Sequence, residues 1–151
     1  MTRSAWVIVV TLLAVLAIAS TIGDNSRPQY IWNLTPSVPL GLYSLHSPSH
    51  LRVTTLVAAI PLEPLASALA EGGYLPRGVP LLKRVFALPG QTVCRIGTRI
   101  SVDGIAAEPA REHDSRGRPL PAWHGCRVLA ADEIFLMNWD EPDSLDGRYF
   151  G

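Results

Sequence analysis

The sequence has few of the residues on which metal sites and the common serine hydrolases depend. Its four histidines are scattered among loop-forming residues, and no Gly-x-Ser-x-Gly turn presents a serine to them. A Ser–His catalytic pair is therefore not expected. His46 and His50 would suit a metal ion only on a helix, and Pro48 between them argues against one. Two cysteines without a neighbouring histidine pair do not make a zinc site, so no metal and no cofactor are expected.

The sequence also lacks an excess of charge, internal repeats and low-complexity segments. Its 13 acidic and 13 basic residues balance, so charge gives no reason to expect a nucleic acid as a partner. The length of 151 residues allows one domain with an appendage.

The appendage is the N-terminal segment, in which Ser4–Gly23 forms an uncharged run of 20 residues. A helix needs ~20 apolar residues to cross a hydrocarbon core. We therefore predict a membrane anchor over residues 1–24. The alternative is a cleavable signal segment, because Ala17-Ile18-Ala19 resembles a cleavage site, although the apolar run exceeds the ~7–15 residues usual for such a segment.

The orientation of this anchor is predicted from the charges that flank it. Arg3 and the amino terminus precede the apolar run and Asp24 follows it, which favours an N-terminus inside the cell. Residues 25–151 are then expected to form an extracytoplasmic domain, attached by a single span to the cytoplasmic membrane.

For this domain the residue pattern predicts a mainly β fold of short strands with one short helix. Thirteen prolines and twelve glycines interrupt the apolar segments and favour short elements. Strands are expected at 30–32, 42–45, 51–60, 80–88, 99–103, 126–130 and 132–138, and the helix at 62–70. A polar linker is predicted at 24–28, an exposed irregular excursion at 107–125, and a hairpin turn at Asp103-Gly104.

The two cysteines, Cys94 and Cys126, bracket the predicted excursion. In an oxidising compartment they can form a disulfide that closes a loop of about 33 residues. By the entropy it removes from the unfolded chain, this bond would stabilise the fold by roughly 3–4 kcal/mol. The alternative is two free, buried thiols.

Two segments carry candidate chemistry: TPSVPLGLY at 35–43 and PLLKRVFALPG at 80–90. The first places Ser37 on a loop between two strands, and the second surrounds Lys83 with apolar residues. An exposed lysine has a pKa near ~10.4, which burial lowers because desolvation penalises the ammonium form. A neutral Lys83 can then act as the base that a serine nucleophile requires.

With a third block, SLDGRYFG at 144–151, these segments resemble the type I signal peptidases, and within them the TraF-like peptidases of bacterial conjugation systems. The blocks are similar to the Ser-x-Pro-x-Gly-Leu-Tyr, Lys-Arg-Val-x-x-Leu-Pro-Gly and Ser-x-Asp-x-Arg motifs of that family. One residue separates Ser37 from Pro39, as in the conjugation branch, where housekeeping signal peptidases have two. Family members usually continue with a further β segment after the last glycine, which leaves open whether the chain is truncated there.

The resemblance implies a role for each matching residue. Ser37 is the expected nucleophile and Lys83 its general base. The expected supporting residues are Ser144, which orients the lysine, Asp146 and Arg148, which form a charge pair on one strand, and Thr35, whose hydroxyl joins the Ser37 amide in binding the oxyanion. A glycosylation sequon at Asn33-Leu34-Thr35 abuts the nucleophile and is interpreted as accidental.

The implied function is that of a membrane-anchored serine endopeptidase that processes an exported precursor, the pilin of a conjugative transfer system. Processing removes a leader or terminal peptide, and in some members of the branch it ends in cyclisation. The expected partners are the precursor protein and the lipid bilayer. The alternatives are a general type I signal peptidase, a self-cleaving repressor, which would need a DNA-binding domain and no anchor, and a catalytically silent scaffold of the transfer apparatus.

Overall fold

The computed structural model describes residues 2–20 and 28–151, so the predicted linker 24–28 lies, except for Pro28, outside the described residues. The elements are α1 (Arg3–Ser20), β1 (Tyr30–Asn33), β2 (Gly41–Ser44), β3 (Leu56–Ala59), α2 (Leu65–Glu71), β4 (Leu81–Ala87), β5 (Thr92–Ile96), β6 (Arg99–Val102), β7 (Ile105–Ala106), β8 (Gly125–Val128), β9 (Phe135–Leu136) and α3 (Gly147–Phe150).

The strands of the described region form three antiparallel sheets, with the orders β1-β2, β3-β4-β9 and β7-β6-β5-β8. This architecture confirms the mainly β class. Apolar side chains from β4, β5, β6 and β9 meet in one core. Each large side chain that is fully buried there stabilises the fold by about 1.5–3 kcal/mol. The buried members of this core are Ala87, Val93, Ile100, Val102, Leu129, Phe135 and Met137.

The N-terminal helix α1 spans 18 residues and has no buried residue. By length and composition it can cross a membrane. A signal sequence at this position has the same properties, so the helix supports an anchor and a signal segment alike.

The hairpin of β1 and β2 carries Ser37 on its connecting loop. Tyr30 pairs with Ser44 at the open end and Asn33 with Gly41 at the closed end, so residues 34–40 form the loop. Gly41 has a φ of 150°, a backbone conformation that disfavours a side chain.

Strand β4 places Lys83 in the centre of its sheet. Lys83 pairs with Val57 of β3, while Val85 pairs with Leu136 of β9 on the other edge. The predicted strand 51–60 is wrong in its first half, because Thr54 adopts a φ of 78° and bends the chain out of the extended conformation.

The predicted strand 132–138 is also shorter than expected and contains only β9. Glu133 donates its backbone N–H to the carbonyl of Ala130 and accepts the N–H of Ala130 on its carboxylate, which closes a turn at the start of the predicted strand.

The expectation that Asp146 and Arg148 share one strand is wrong. Asp146 is the N-cap of the helical turn α3, and its carboxylate accepts the backbone N–H of Arg148. A capping carboxylate satisfies one of the free N–H groups of the first turn. The described region therefore has a second short helix in addition to α2, which begins after Pro64 near the predicted position.

The four-stranded sheet contains β5, which was not predicted. Cys94 of β5 faces Cys126 of β8 directly across the ladder, and a disulfide joins them with 4.0 Å between the Cα atoms. Asp103 and Gly104, with φ values of 50° and 80°, form the turn between β6 and β7. The excursion 107–125 has no strand among its described residues before β8 begins at its last residue.

Candidate active site

A surface cavity of about 230 Å³ collects residues from three distant parts of the chain. Thr35 and Ser37 reach it from the β1–β2 loop, Lys83 from β4, and Ser144 from the segment before α3. Four of the six predicted site residues thus line one space. The other two, Asp146 and Arg148, are buried and absent from its lining.

Lys83, the only lysine in the chain, is 3% exposed. Burial lowers its pKa to about 8; the Asp146 carboxylate opposes this shift and the Arg148 guanidinium reinforces it. Its Nζ donates a hydrogen bond of 2.5 Å to the Oγ of Ser144. Near neutral pH an appreciable fraction of Lys83 is therefore an uncharged amine held in one orientation.

The hydroxyl of Ser37 lies 3.2 Å from that of Thr35. Thr35 Oγ1 lies 3.0 Å from the Oδ1 atom of Asn33, which can only accept a hydrogen bond, so the Thr35 proton is used there. Ser37 is consequently the donor to Thr35. Among the hydrogen bonds of the described residues, none joins Ser37 Oγ to Lys83.

The side chain of Asn33 holds the β1–β2 loop through hydrogen bonds to its backbone. Its Nδ2 donates to the carbonyl oxygens of Thr35, Val38 and Pro39 at 2.7, 2.9 and 3.1 Å. Three carbonyl acceptors around one nitrogen fix the orientation of the amide. The sequon asparagine is 7% exposed and bonded within the loop, which agrees with the interpretation of the sequon as accidental.

Asp146 and Arg148 form a fully buried ion pair, with Arg148 Nε 2.9 Å from Asp146 Oδ1. The Nη2 atom of Arg148 also donates to the carbonyls of Asn138, Glu141 and Ser144 at 3.2, 2.8 and 3.2 Å. The segment 138–144 therefore wraps around one guanidinium. A buried charge is tolerated when it is paired and hydrogen-bonded in this way, and here it fixes the backbone that carries Ser144.

Sequence reasoning missed Asn138, which is fully buried yet polar. Its amide bonds to backbone groups of both the Ser37 loop and β4. An asparagine between Met137 and Trp139 was the available signal, because a polar residue in an apolar segment needs buried partners. The cavity lining also includes Pro36, Leu69, Tyr74, Leu75, Leu81, Glu141, Asp143 and Leu145.

The arrangement combines a partly exposed hydroxyl, a buried amine of lowered pKa and a second hydroxyl within one cavity. No histidine is among the described residues that line it. These are the groups that a serine nucleophile with a lysine base would require.

The chain matches the family model "Signal peptidase, peptidase S26" over residues 1–151. It is 37% identical over 150 residues to the probable conjugal transfer protein TraF of Sinorhizobium fredii, covering 90% of this chain and 76% of that protein. It is 36% identical over 134 residues to the conjugal transfer protein TraF of Agrobacterium tumefaciens, covering 81% and 73%. No solved structure matches the chain significantly. The resemblance noted in the sequence is thus confirmed, and the chain belongs to the signal peptidase family, peptidase S26.

Proposed function

We propose that this protein is a membrane-anchored serine endopeptidase in which Ser37 is the nucleophile and Lys83 its general base. The observation that carries the proposal is the placement of the only lysine of the chain, buried and with its pKa lowered to about 8, in the same cavity as Ser37. Membership of a peptidase family supports the same assignment.

In the first half-reaction the Oγ atom of Ser37 attacks the carbonyl carbon of the scissile peptide bond, and neutral Lys83 takes the hydroxyl proton. Before attack the Ser37 hydroxyl leaves Thr35, to which it donates in the resting state. The tetrahedral intermediate then collapses, the C–N bond breaks, and Lys83 returns the proton to the departing amine. The product is an ester between Ser37 and the precursor.

In the second half-reaction Lys83 activates the group that resolves the ester. Water gives a free carboxylate and regenerates the Ser37 hydroxyl. An amine of the substrate itself would instead give a new peptide bond. Ser144 holds Lys83 for both steps through its bond to Nζ.

The developing oxyanion needs hydrogen-bond donors that are already in place. The backbone N–H of Ser37 and the hydroxyl of Thr35 are the proposed donors. The Thr35 proton points to Asn33 Oδ1 in the resting structure, so the Thr35 hydroxyl turns about its Cβ–Oγ1 bond and gives up this hydrogen bond when it serves the oxyanion.

The proposed substrate is an exported precursor, the pilin of a conjugative transfer system. The relatives named conjugal transfer proteins support this assignment. Leu69, Leu75 and Leu81 give the cavity apolar walls, and a volume of about 230 Å³ suits small apolar side chains near the cut. We expect the precursor to bind in an extended conformation beside a strand.

The proposed location is the outer side of the cytoplasmic membrane. Helix α1 can supply the anchor. In the β1–β2 hairpin that follows it, the exposed fractions of Tyr30, Trp32 and Leu42 are 60%, 65% and 60%. An anchored enzyme meets a membrane-embedded precursor at high effective concentration.

The test is cleavage of the pilin precursor encoded with the same transfer system, in detergent micelles, by wild type, Ser37→Ala and Lys83→Ala. Loss of turnover in both variants, each verified as folded, is the expected result. Ser101→Ala on β6 is the matched control, because Ser101 lies outside the cavity and should leave turnover unchanged.

Each other outcome contradicts part of the proposal. Turnover that survives in either variant would exclude a catalytic Ser37–Lys83 dyad. Equal cleavage of a broad panel of secretory precursors would favour a general signal peptidase. No cleavage by wild type across that panel would favour a catalytically silent scaffold.

A further inference from the structure

Asn138 extends the β4–β9 ladder with its side chain. Backbone pairing on this edge of β4 ends where Met137 donates to the carbonyl of Arg84. One position on, Asn138 Oδ1 accepts the N–H of Arg84 at 3.0 Å and Nδ2 donates to the carbonyl of Leu82 at 3.2 Å. The amide therefore fixes the backbone on both sides of Lys83.

The same amide also reaches the loop of Ser37. Asn138 Nδ2 donates to the carbonyl oxygen of Ser37 at 2.6 Å, across 101 residues of sequence. One nitrogen thus bridges the carbonyl of Ser37 and that of Leu82. The bridge joins the backbone of the nucleophile loop to the strand that carries the lysine.

Asn138 is held in turn by the buried ion pair. Its backbone N–H donates to Asp146 Oδ2 at 3.0 Å, and its carbonyl accepts from Arg148 Nη2 at 3.2 Å. Every polar group of Asn138 is therefore bonded while the residue is completely buried. An amide whose hydrogen bonds are all made in the interior favours one arrangement of the groups it joins.

We propose that Asn138 is a positioning residue that sets the distance between Ser37 and Lys83, through one amide bonded to both backbones. The inference rests on the proposed function of this site. Asn138 touches no reacting atom, and it acts by holding the serine loop against β4. A misplacement of about 1 Å between reacting groups can cost on the order of 100-fold in rate.

The test uses the full chain in detergent micelles with two substitutions, Asn138→Ala and Asn138→Leu. Leucine keeps most of the side-chain volume without the hydrogen bonds. Comparison of the two variants therefore separates the effect of lost packing from the effect of lost hydrogen bonds. Both variants should lower kcat by about 10- to 100-fold with little change in KM. The midpoint of the pH–rate profile should stay in place, because the amide does not contact the lysine ammonium.

Gln91→Ala is the matched control for the loss of a bridging amide. Gln91 accepts the N–H of Leu88 and donates to Asp103 at 2.8 Å each, away from the cavity. Its substitution should leave kcat unchanged.

A second readout does not depend on turnover. With carbonyl-13C serine and 15N valine, only the pairs Ser37-Val38 and Ser101-Val102 give cross-peaks, because the chain has no other Ser-Val sequence. The Ser37 carbonyl resonance should move in both variants, while that of Ser101 reports an intact fold. In wild type the side-chain amide protons of Asn138 should exchange slowly with solvent.

Several results would overturn the inference: wild-type kcat in Asn138→Leu, an unmoved Ser37 resonance, or fast exchange of the Asn138 amide in wild type. Equal movement of both serine resonances would indicate a general structural role instead. Failure of wild type to cleave any precursor contradicts the proposed function, and the resonance and exchange measurements still decide whether Asn138 holds the loop.

Discussion

The Nζ atom of Lys83 lies 2.5 Å from the Oγ atom of Ser144, although 61 residues separate them in the chain. Ser144 is fixed in turn, because its backbone N–H donates to Glu141 and its carbonyl accepts from Arg148. The lysine that is proposed as the base is therefore attached to a rigid segment.

Activity should rise with pH up to about 8, the pKa to which burial lowers Lys83. Only the neutral amine can take the serine proton, so kcat/KM should increase about tenfold per pH unit well below that value and level above it. The pKa can be measured directly, because lysine labelled with 13C at Cε alone gives a single signal in a chain with one lysine. A titration midpoint near 10.5 would contradict the prediction.

Lys83→Met should stabilise the fold at pH 7 while it abolishes turnover. The folded-state pKa of about 8 lies below the ordinary lysine pKa of 10.5, so protonated Lys83 opposes folding at every pH below 8. This opposition is relieved as pH rises from 8 to 10.5, where the unfolded chain binds more protons. The full effect is about 3 kcal/mol, and urea unfolding at pH 7 and 10 should show the gain shrinking with pH. A variant less stable than wild type at pH 7 would refute it.

Ser144→Ala should lower kcat about 5- to 100-fold, with a smaller effect on KM, because Lys83 loses the hydrogen bond that orients it. Ser144→Thr keeps the hydroxyl and should restore most of the rate. Steady-state kinetics on the same precursor separate the two constants. An effect confined to KM would assign Ser144 to substrate binding instead.

Asp146→Asn should destabilise the fold by about 3–5 kcal/mol, because it leaves the buried Arg148 guanidinium without its counter-charge. The control is Glu133→Gln in the exposed pair with Arg127, which should cost less than about 1 kcal/mol. Because Asp146 raises the pKa of Lys83, its removal should also move the lysine midpoint below 8. Denaturant unfolding measures the loss of stability in both variants. Similar losses would contradict the predicted difference between the buried and the exposed ion pair.

The positions of Ser37 and Lys83 were accessible from the sequence because each depends on neighbours in the chain. Prolines and glycines around Ser37 predict a loop, and the apolar residues beside Lys83 predict a buried strand. The secondary structure around Asp146 and Arg148 could not be predicted in this way. Their spacing of two fits a strand face, and only the capping bond from the Arg148 N–H to Asp146 shows that a helix begins there.

The sequence by itself determined the apolar N-terminal segment, the mainly β class and the three motif blocks, because these follow from local composition and residue order. Only the tertiary structure decided that one cavity receives Thr35, Ser37, Lys83 and Ser144, since this depends on the packing of distant segments. It also decided that Asn138 connects the Ser37 loop to β4. The physical reason is that a buried amide must bond to whichever backbone groups the fold brings within about 3 Å, and those groups lie up to 101 residues away.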